Sequence, residues 1–253
     1  MIHFLKNNLG RIAFGKTASS ISISALILIA IIGAFPVSAR AAAHEEVGVS
    51  AAPSDLYHET SVTGGSAFLP GEHEHSGQIA GWEDMTSRLA DESSRFKGQC
   101  HQYGEFCLPL SWDEHIQKMR SMPMQKRLDY ANRLINQYRY ASDTRTYGIY
   151  NYWATPLELA TKKQGDCKHH AVAKFAILLA SGVPESQLRI LVLNNSREHY
   201  MHAILMVSTG QGVFVLDDQR PNVMTMNDVP FYHPIYSINF DGWWLHEERM
   251  AGL

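Results

Sequence analysis

Three residues, read in chain order, could carry out nucleophilic acyl chemistry: Cys167, then His202, then Asp217. Cys167 closes Gln164-Gly165-Asp166-Cys167, directly before a segment of helical periodicity. A thiol at a helix N-terminus faces unpaired N–H groups and the positive end of the helix dipole, and both favour the nucleophilic thiolate. The flanking Lys168, His169 and His170 would add positive potential. Taken alone, a cysteine is as readily a small buried apolar residue, but these polar, glycine-containing surroundings argue for chemistry. His202 would share a strand face with Ile204 and Met206, a setting in which many histidines are structural. Asp217 closes an apolar run and could cap a turn instead, with Asp218 beside it as an alternative carboxylate. In combination the three supply a nucleophile, a base and a group to orient the base.

The elements that must position them are legible around them. Over 168–181, Ala171, Val172, Phe175, Leu178 and Leu179 recur at helical spacing, and Gly182 and Pro184 stop the helix. Strand-like runs follow at 188–193, 200–207 and 213–217. Gly210-Gln211-Gly212 joins the last two tightly, which predicts an antiparallel hairpin with His202 and an aspartate in lateral reach. A further strand is expected at 236–240, with Trp243 and Trp244 closing the sheet. Upstream, helical signals begin near Trp82. Leu128, Ala131, Leu134, Ile135 and Tyr138 predict a helix over 126–140, with Ser121 as N-cap and Pro123 in its first turn. Helices first and strands later give an α+β class, with the nucleophile helix packed on an antiparallel sheet.

The chain has 253 residues, 45% hydrophobic and 19% charged, with a formal net charge of −3. Nothing in that balance favours nucleic acid as a partner. Residues 1–43 read as a signal peptide: Lys6, Arg11 and Lys16 precede an apolar run over 21–35, and small residues suit cleavage after Ala39, Ala41 or Ala43. An uncleaved anchor is the alternative, and only then would the protein contact a membrane; the apolar run is shorter than the ~20 residues a spanning helix needs. Residues 44–81 read as a flexible arm or linker, within which Glu72-His73-Glu74-His75 is expected to be a solvated loop rather than a metal site. Residues 82–253 form the expected domain. Export permits a disulfide, and Cys100 and Cys107 could close a short loop or remain two separate buried thiols. Pairing them leaves Cys167 as the unpaired member of three cysteines.

Further motifs carry a family resemblance. Asn151-Tyr152-Trp153-Ala154-Thr155-Pro156-Leu157-Glu158, then Gly165-Asp166-Cys167, resemble the signature of bacterial transglutaminase-like cysteine peptidases. Ala173-Lys174-Phe175, Gly182-Val183-Pro184, His202-Ala203, Leu216-Asp217 and Pro234-Ile235-Tyr236-Ser237-Ile238-Asn239 match in order. The resemblance spans roughly 82–247. It implies a papain-like transglutaminase core and a triad of Cys167, His202 and Asp217, with Asp218 where the family usually has Asn. The family includes LapG-type periplasmic proteases that release large adhesins from the cell surface. It thus implies an exported, periplasmic peptidase acting on a protein substrate, with a surface adhesin as one such substrate. Acyl transfer to an amine by the same triad, and a catalytically silent binding domain on the same fold, are the alternatives. Trp153 could line the cleft or belong to the core.

One departure bears on cofactors. LapG-type members carry acidic residues directly after the cysteine that help bind calcium, and here those positions hold Lys168 and His169. A cation then replaces a carboxylate where a hard oxygen site needs negative charge. No cofactor is therefore expected, calcium being implied by the resemblance alone.

Overall fold

The segment after Cys167 is apolar or buried on nearly every side, which decides where it sits. A helix buried all round must lie between layers rather than on a surface. In the computed structural model, which describes residues 68–246 other than 70, 76 and 97, this helix is buried on almost all its length among the described elements. In chain order the elements are β1 (Glu72–His75), α1 (Ala80–Arg95), β2 (Cys100–Tyr103), β3 (Phe106–Pro109), α2 (Asp113–Arg120), α3 (Met124–Ile135), β4 (Arg139–Tyr140), α4 (Asp143–Tyr147), α5 (Pro156–Lys162), β5 (Gln164–Gly165) and α6 (Cys167–Ala180). Then come β6 (Leu188–Asn195), β7 (Tyr200–Thr209), β8 (Gly212–Leu216), β9 (Met224–Thr225), β10 (Tyr232–Ile238) and β11 (Trp243–His246). Among the described residues no helix is long and apolar enough to cross a membrane.

Seven strands form one antiparallel sheet in the order β1-β11-β10-β6-β7-β8-β9. Its interior strand β7 is apolar on both faces, as a strand covered on both sides requires. Leu205 and Val207 pack toward α6 and the helices beyond it, while Ile204 and Met206 pack on the other face with Leu191, Leu193, Val215 and Tyr232. The far side of α6 meets α3 and α5. The expected α+β arrangement, with the cysteine helix against an antiparallel sheet, is what the structure shows.

Local chemistry sets both ends of α6. Asp166 is the N-cap, and its carboxylate accepts from the His169 N–H. At the other end Val183 N–H bonds Leu178 O and Gly182 N–H bonds Leu179 O, with Gly182 at φ +94°. That is a Schellman motif, and its left-handed residue is where glycine costs least. The family-like Thr155-Pro156-Leu157-Glu158 is itself a capping box: Thr155 Oγ1 accepts from Glu158 N–H, Glu158 accepts from Thr155 N–H, and Pro156 begins α5. Gly165 has a packing reason, since a Cβ there would sit 2.7 Å from His169 Nδ1 and 2.8 Å from Leu159 Cδ1.

Several expectations are corrected. Glu72–His75 is not a solvated loop but the edge strand β1, paired with β11. It is held by Glu72, whose carboxylate accepts from Arg189 at 2.9 Å while that guanidinium stacks between Phe68 and Trp244. Ser121 caps the end of α2, and Pro123 rather than Ser121 is the N-cap of α3, which stops at Ile135. The last strand of the expected set begins earlier, at Tyr232, and the tryptophans form β11. Trp153 belongs to the core, edge-on to Trp82 with ring centroids 6.0 Å apart. Cys100 and Cys107 are joined in a disulfide across the β2–β3 hairpin, with Cα atoms 5.5 Å apart, and Cys167 is free. The expected signal peptide and the first part of the expected arm lie outside the described residues.

Candidate active site

Cys167 is the first residue of α6 and is half-buried. Its own N–H lies in the first helical turn, where the helix supplies no acceptor. The backbone N–H of Ala203, next to His202 on β7, favours the ionised form of the thiol. The fold therefore brings the sulfur to the strand segment that carries the histidine.

His202 is fully buried and its Nε2 lies 2.9 Å from Asp217 Oδ1. Asp218 Oδ1 is 3.8 Å from the same nitrogen and makes no hydrogen bond. Of the two adjacent carboxylates, Asp217 is thus the one bonded to the imidazole. Three other groups hold it: Tyr232 O–H donates to Oδ2 at 2.5 Å, Gln219 N–H to Oδ1 at 2.9 Å, and Asn136 Nδ2 to the Asp217 carbonyl at 2.8 Å. Burial alone would raise the Asp217 carboxyl. The hydrogen bond and charge of His202, with the Tyr232 and Gln219 donors, outweigh it and hold the group well below the usual carboxylate range. Tyr232 is moved the other way by burial and by Asp217, so it stays a protonated donor.

These contacts fix a tautomer. An ionised carboxylate only accepts, so the imidazole proton facing it is on Nε2. In neutral His202 the lone pair is then on Nδ1, which is buried and makes no hydrogen bond. The unbonded ring nitrogen belongs to the residue next to Ala203, whose N–H favours the ionised thiol.

The surroundings as a whole raise the thiol, while Lys168 acts in the expected direction. Burial pushes Cys167 up, and the Asp166 and Asp218 carboxylates push it further; the Ala203 N–H and the Lys168 ammonium offset only part of this. Lys168 is hydrogen-bonded to both Asp143 and Asp166, so its pull on the thiol is countered by theirs, and burial lowers His169 to about 4.

Tyr232, Gln219 and Asn136 around Asp217 are not singled out by the sequence, and Lys174 is there only as part of the matched Ala173-Lys174-Phe175. Lys174 is completely buried in α6 and its ammonium nitrogen makes no hydrogen bond to the described residues. Burial lowers it to about 7, against the pull of Asp218, Asp217 and Cys167. The unfolded chain therefore holds this proton to higher pH than the folded one. The penalty of burying the charge is complete below about pH 7 and fades through the window up to the ordinary lysine value of 10.5. Lys174→Met is expected to stabilise the protein most at pH 6–7, with the gain shrinking toward pH 10. Paired denaturant titrations of variant and wild type across that range will read it; a pH-independent difference would show that the lysine is not buried as a strained cation.

The model of the family described as bacterial transglutaminase-like cysteine proteinase, BTLCP, matches residues 86–245. Among solved structures, LapG of Legionella pneumophila is 25% identical, with a TM-score of 0.50, over 65% of this chain and 89% of that one. Its calcium-bound form is 25% identical at TM-score 0.50, over 66% and 93% of the two chains, and its EGTA-treated form 26% identical at 0.51, over 66% and 88%. No curated protein matches the chain.

Proposed function

Because the chain belongs to the bacterial transglutaminase-like cysteine proteinases, we propose that it is an exported cysteine peptidase that hydrolyses an amide bond of a protein substrate, with Cys167 as nucleophile, His202 as base and Asp217 as the group that orients it. The carrying observation is the His202 ring, fixed through Nε2 on an ionised Asp217 with Nδ1 left free. In this reading the Cys167 proton passes to His202 Nδ1 as sulfur attacks the carbonyl carbon, so no standing thiolate is needed. The developing oxyanion takes the Cys167 N–H as one donor. Collapse breaks the C–N bond, His202 returns the proton to the departing amine, and a thioester remains. Water then attacks the thioester with His202 again taking a proton, and carboxylic acid and thiol are released. Asp217 stabilises each imidazolium. The N-terminal charge and apolar pattern supports a periplasmic location, and the family resemblance supports a surface protein such as an adhesin as substrate.

The test is incubation of the mature protein with exported surface proteins, with and without a labelled primary amine. New amino and carboxyl termini without amine incorporation are expected. Amine incorporation would mean acyl transfer instead. Neither product, together with no labelling of Cys167 by an electrophilic peptide, would leave a binding domain and remove the peptidase reading.

A further inference from the structure

Beside Cys167 lies a second polar centre that the hydrolysis does not use. Asp143, Asp166 and His169 are all buried, and their ligand atoms fall within 4.8 Å of one another, a spacing that suits a metal ion. A similar protein, LapG of Legionella pneumophila, has been solved in a calcium-bound form. Whether these residues fit such an ion is decided by what already occupies their lone pairs.

Lys168 Nζ lies 2.6 Å from Asp143 Oδ2 and is also hydrogen-bonded to Asp166 Oδ2. The ammonium therefore bridges the two carboxylates. His169 is committed at both nitrogens: Nδ1 accepts from the Asp166 N–H at 3.1 Å, which places its proton on Nε2, donated to Tyr152 O at 2.7 Å. No ring lone pair is left for a metal. Asp143 Oδ2 also takes the Tyr152 N–H at 3.0 Å, while Asp143 Oδ1 makes no hydrogen bond and lies 3.3 Å from His169 Nε2. Calcium takes six to eight oxygen ligands. Of the ligand atoms in this cluster, that single Asp143 oxygen and the Asp166 oxygen at the helix cap are what the ammonium leaves, and the cap oxygen already accepts from His169 N–H. The residues do not fit a calcium ion.

We propose that the Lys168 ammonium is a built-in cation at this centre, joining Asp143 of α4 to Asp166, the N-cap of the cysteine helix, and that it holds the start of α6 in place without a divalent ion. The proposal rests on the peptidase reading for its consequence, a peptidase that needs no calcium, but its structural content stands apart from activity. Lys168 sits next to Cys167, so anything that ties Lys168 and Asp166 to α4 also fixes where the thiol lies. A tethered ammonium is present at every calcium concentration, so the start of α6 would be equally ordered in chelated and calcium-replete surroundings.

The experiment uses the mature protein and reads thermal unfolding and calcium calorimetry, with cleavage as a separate measurement. For wild type, neither chelation nor millimolar calcium chloride should move the unfolding midpoint, and no heat of calcium binding should appear. Lys168→Met removes the cation and leaves two buried carboxylates facing each other. Its midpoint should fall by about 10 °C, the scale expected when one partner of a buried ion pair is lost from a domain of this size. Lys168→Asp replaces the cation by a third carboxylate, and its lowered midpoint should be raised again by calcium but not by magnesium. If Lys168→Asp does not fold, wild type and Lys168→Met still decide. A calcium-dependent rise in the wild-type midpoint, abolished in Asp143→Asn, or a Lys168→Met midpoint equal to wild type, would overturn the proposal. Inactivity toward all substrates with these midpoints as expected would count against the peptidase reading alone.

Discussion

Cys167→Ala is expected to bring cleavage down to background while leaving the unfolding midpoint close to that of wild type. The two halves of this expectation come from different links in the chain of cause. For stability, Cys167 is half-buried at the first position of α6 and lies outside both apolar clusters. Its loss opens no core cavity, and alanine is the better helix former. The cap of α6 is carried by Asp166 and the Lys168 bridge, which the substitution does not touch. For rate, no other described cysteine can replace the nucleophile, since Cys100 and Cys107 are joined to each other. Loss of a triad nucleophile typically removes about six orders of magnitude in turnover. Circular-dichroism melts and quantified product termini measure both on one preparation. A folded Cys167→Ala protein that still cleaves at more than trace rate would remove Cys167 from the reaction, and the proposed function with it.

The parts of this molecule legible in its sequence are those where one local pattern had one structural solution. Periodicity over 168–181 and the stops at Gly182 and Pro184 place α6 within a residue of its observed bounds. The β7–β8 hairpin follows from Gly210-Gln211-Gly212 between two apolar runs. Its register puts Asp217 rather than Asp218 on the His202 ring. What stayed illegible depends on partners distant in sequence. Glu72–His75 alternates acid and imidazole and has no apolar face of its own, so nothing local marks it as a strand; Arg189 and β11 make it one. Tyr232, Asn136 and Gln219 converge on Asp217 from β10, the end of α3 and the turn after β8. Lys168 misled in a more instructive way. Its charge reads in sequence as a benefit to the thiolate, and it does favour ionisation, but it is paired with two carboxylates, one of them in α4, and the Asp166 carboxylate opposes it at the sulfur. A residue's sign is readable from sequence, whereas its partners are a property of the fold.

Asp217→Asn should lower kcat/KM by about four orders of magnitude, and Asp218→Asn by no more than about tenfold. The two residues are neighbours with the same side chain, so the contrast isolates geometry. Asparagine at 217 has two orientations, and both fail. With its amide nitrogen toward His202 it donates to Nε2, which moves the imidazole proton to Nδ1 and removes the lone pair that would receive the thiol proton. With its oxygen toward His202 the tautomer survives, but the negative charge that stabilises the imidazolium is gone, and the surroundings are fully buried. Asp218 offers neither service: it is 3.8 Å from Nε2, it has no hydrogen bond at Oδ1, and burial pushes its carboxyl up. Its charge does act on the nucleophile, being one of the groups that raise the Cys167 thiol. Removing it should pull that thiol down, so Asp218→Asn should be alkylated by iodoacetamide faster than wild type at any one pH on the rising limb. Asp217→Asn should show no comparable gain, because Asp217 is not among the main groups that set the thiol. Rates of cleavage and of alkylation, measured across pH for the two variants and wild type, separate the roles. A larger loss of cleavage from Asp218→Asn than from Asp217→Asn would transfer the orienting role to Asp218.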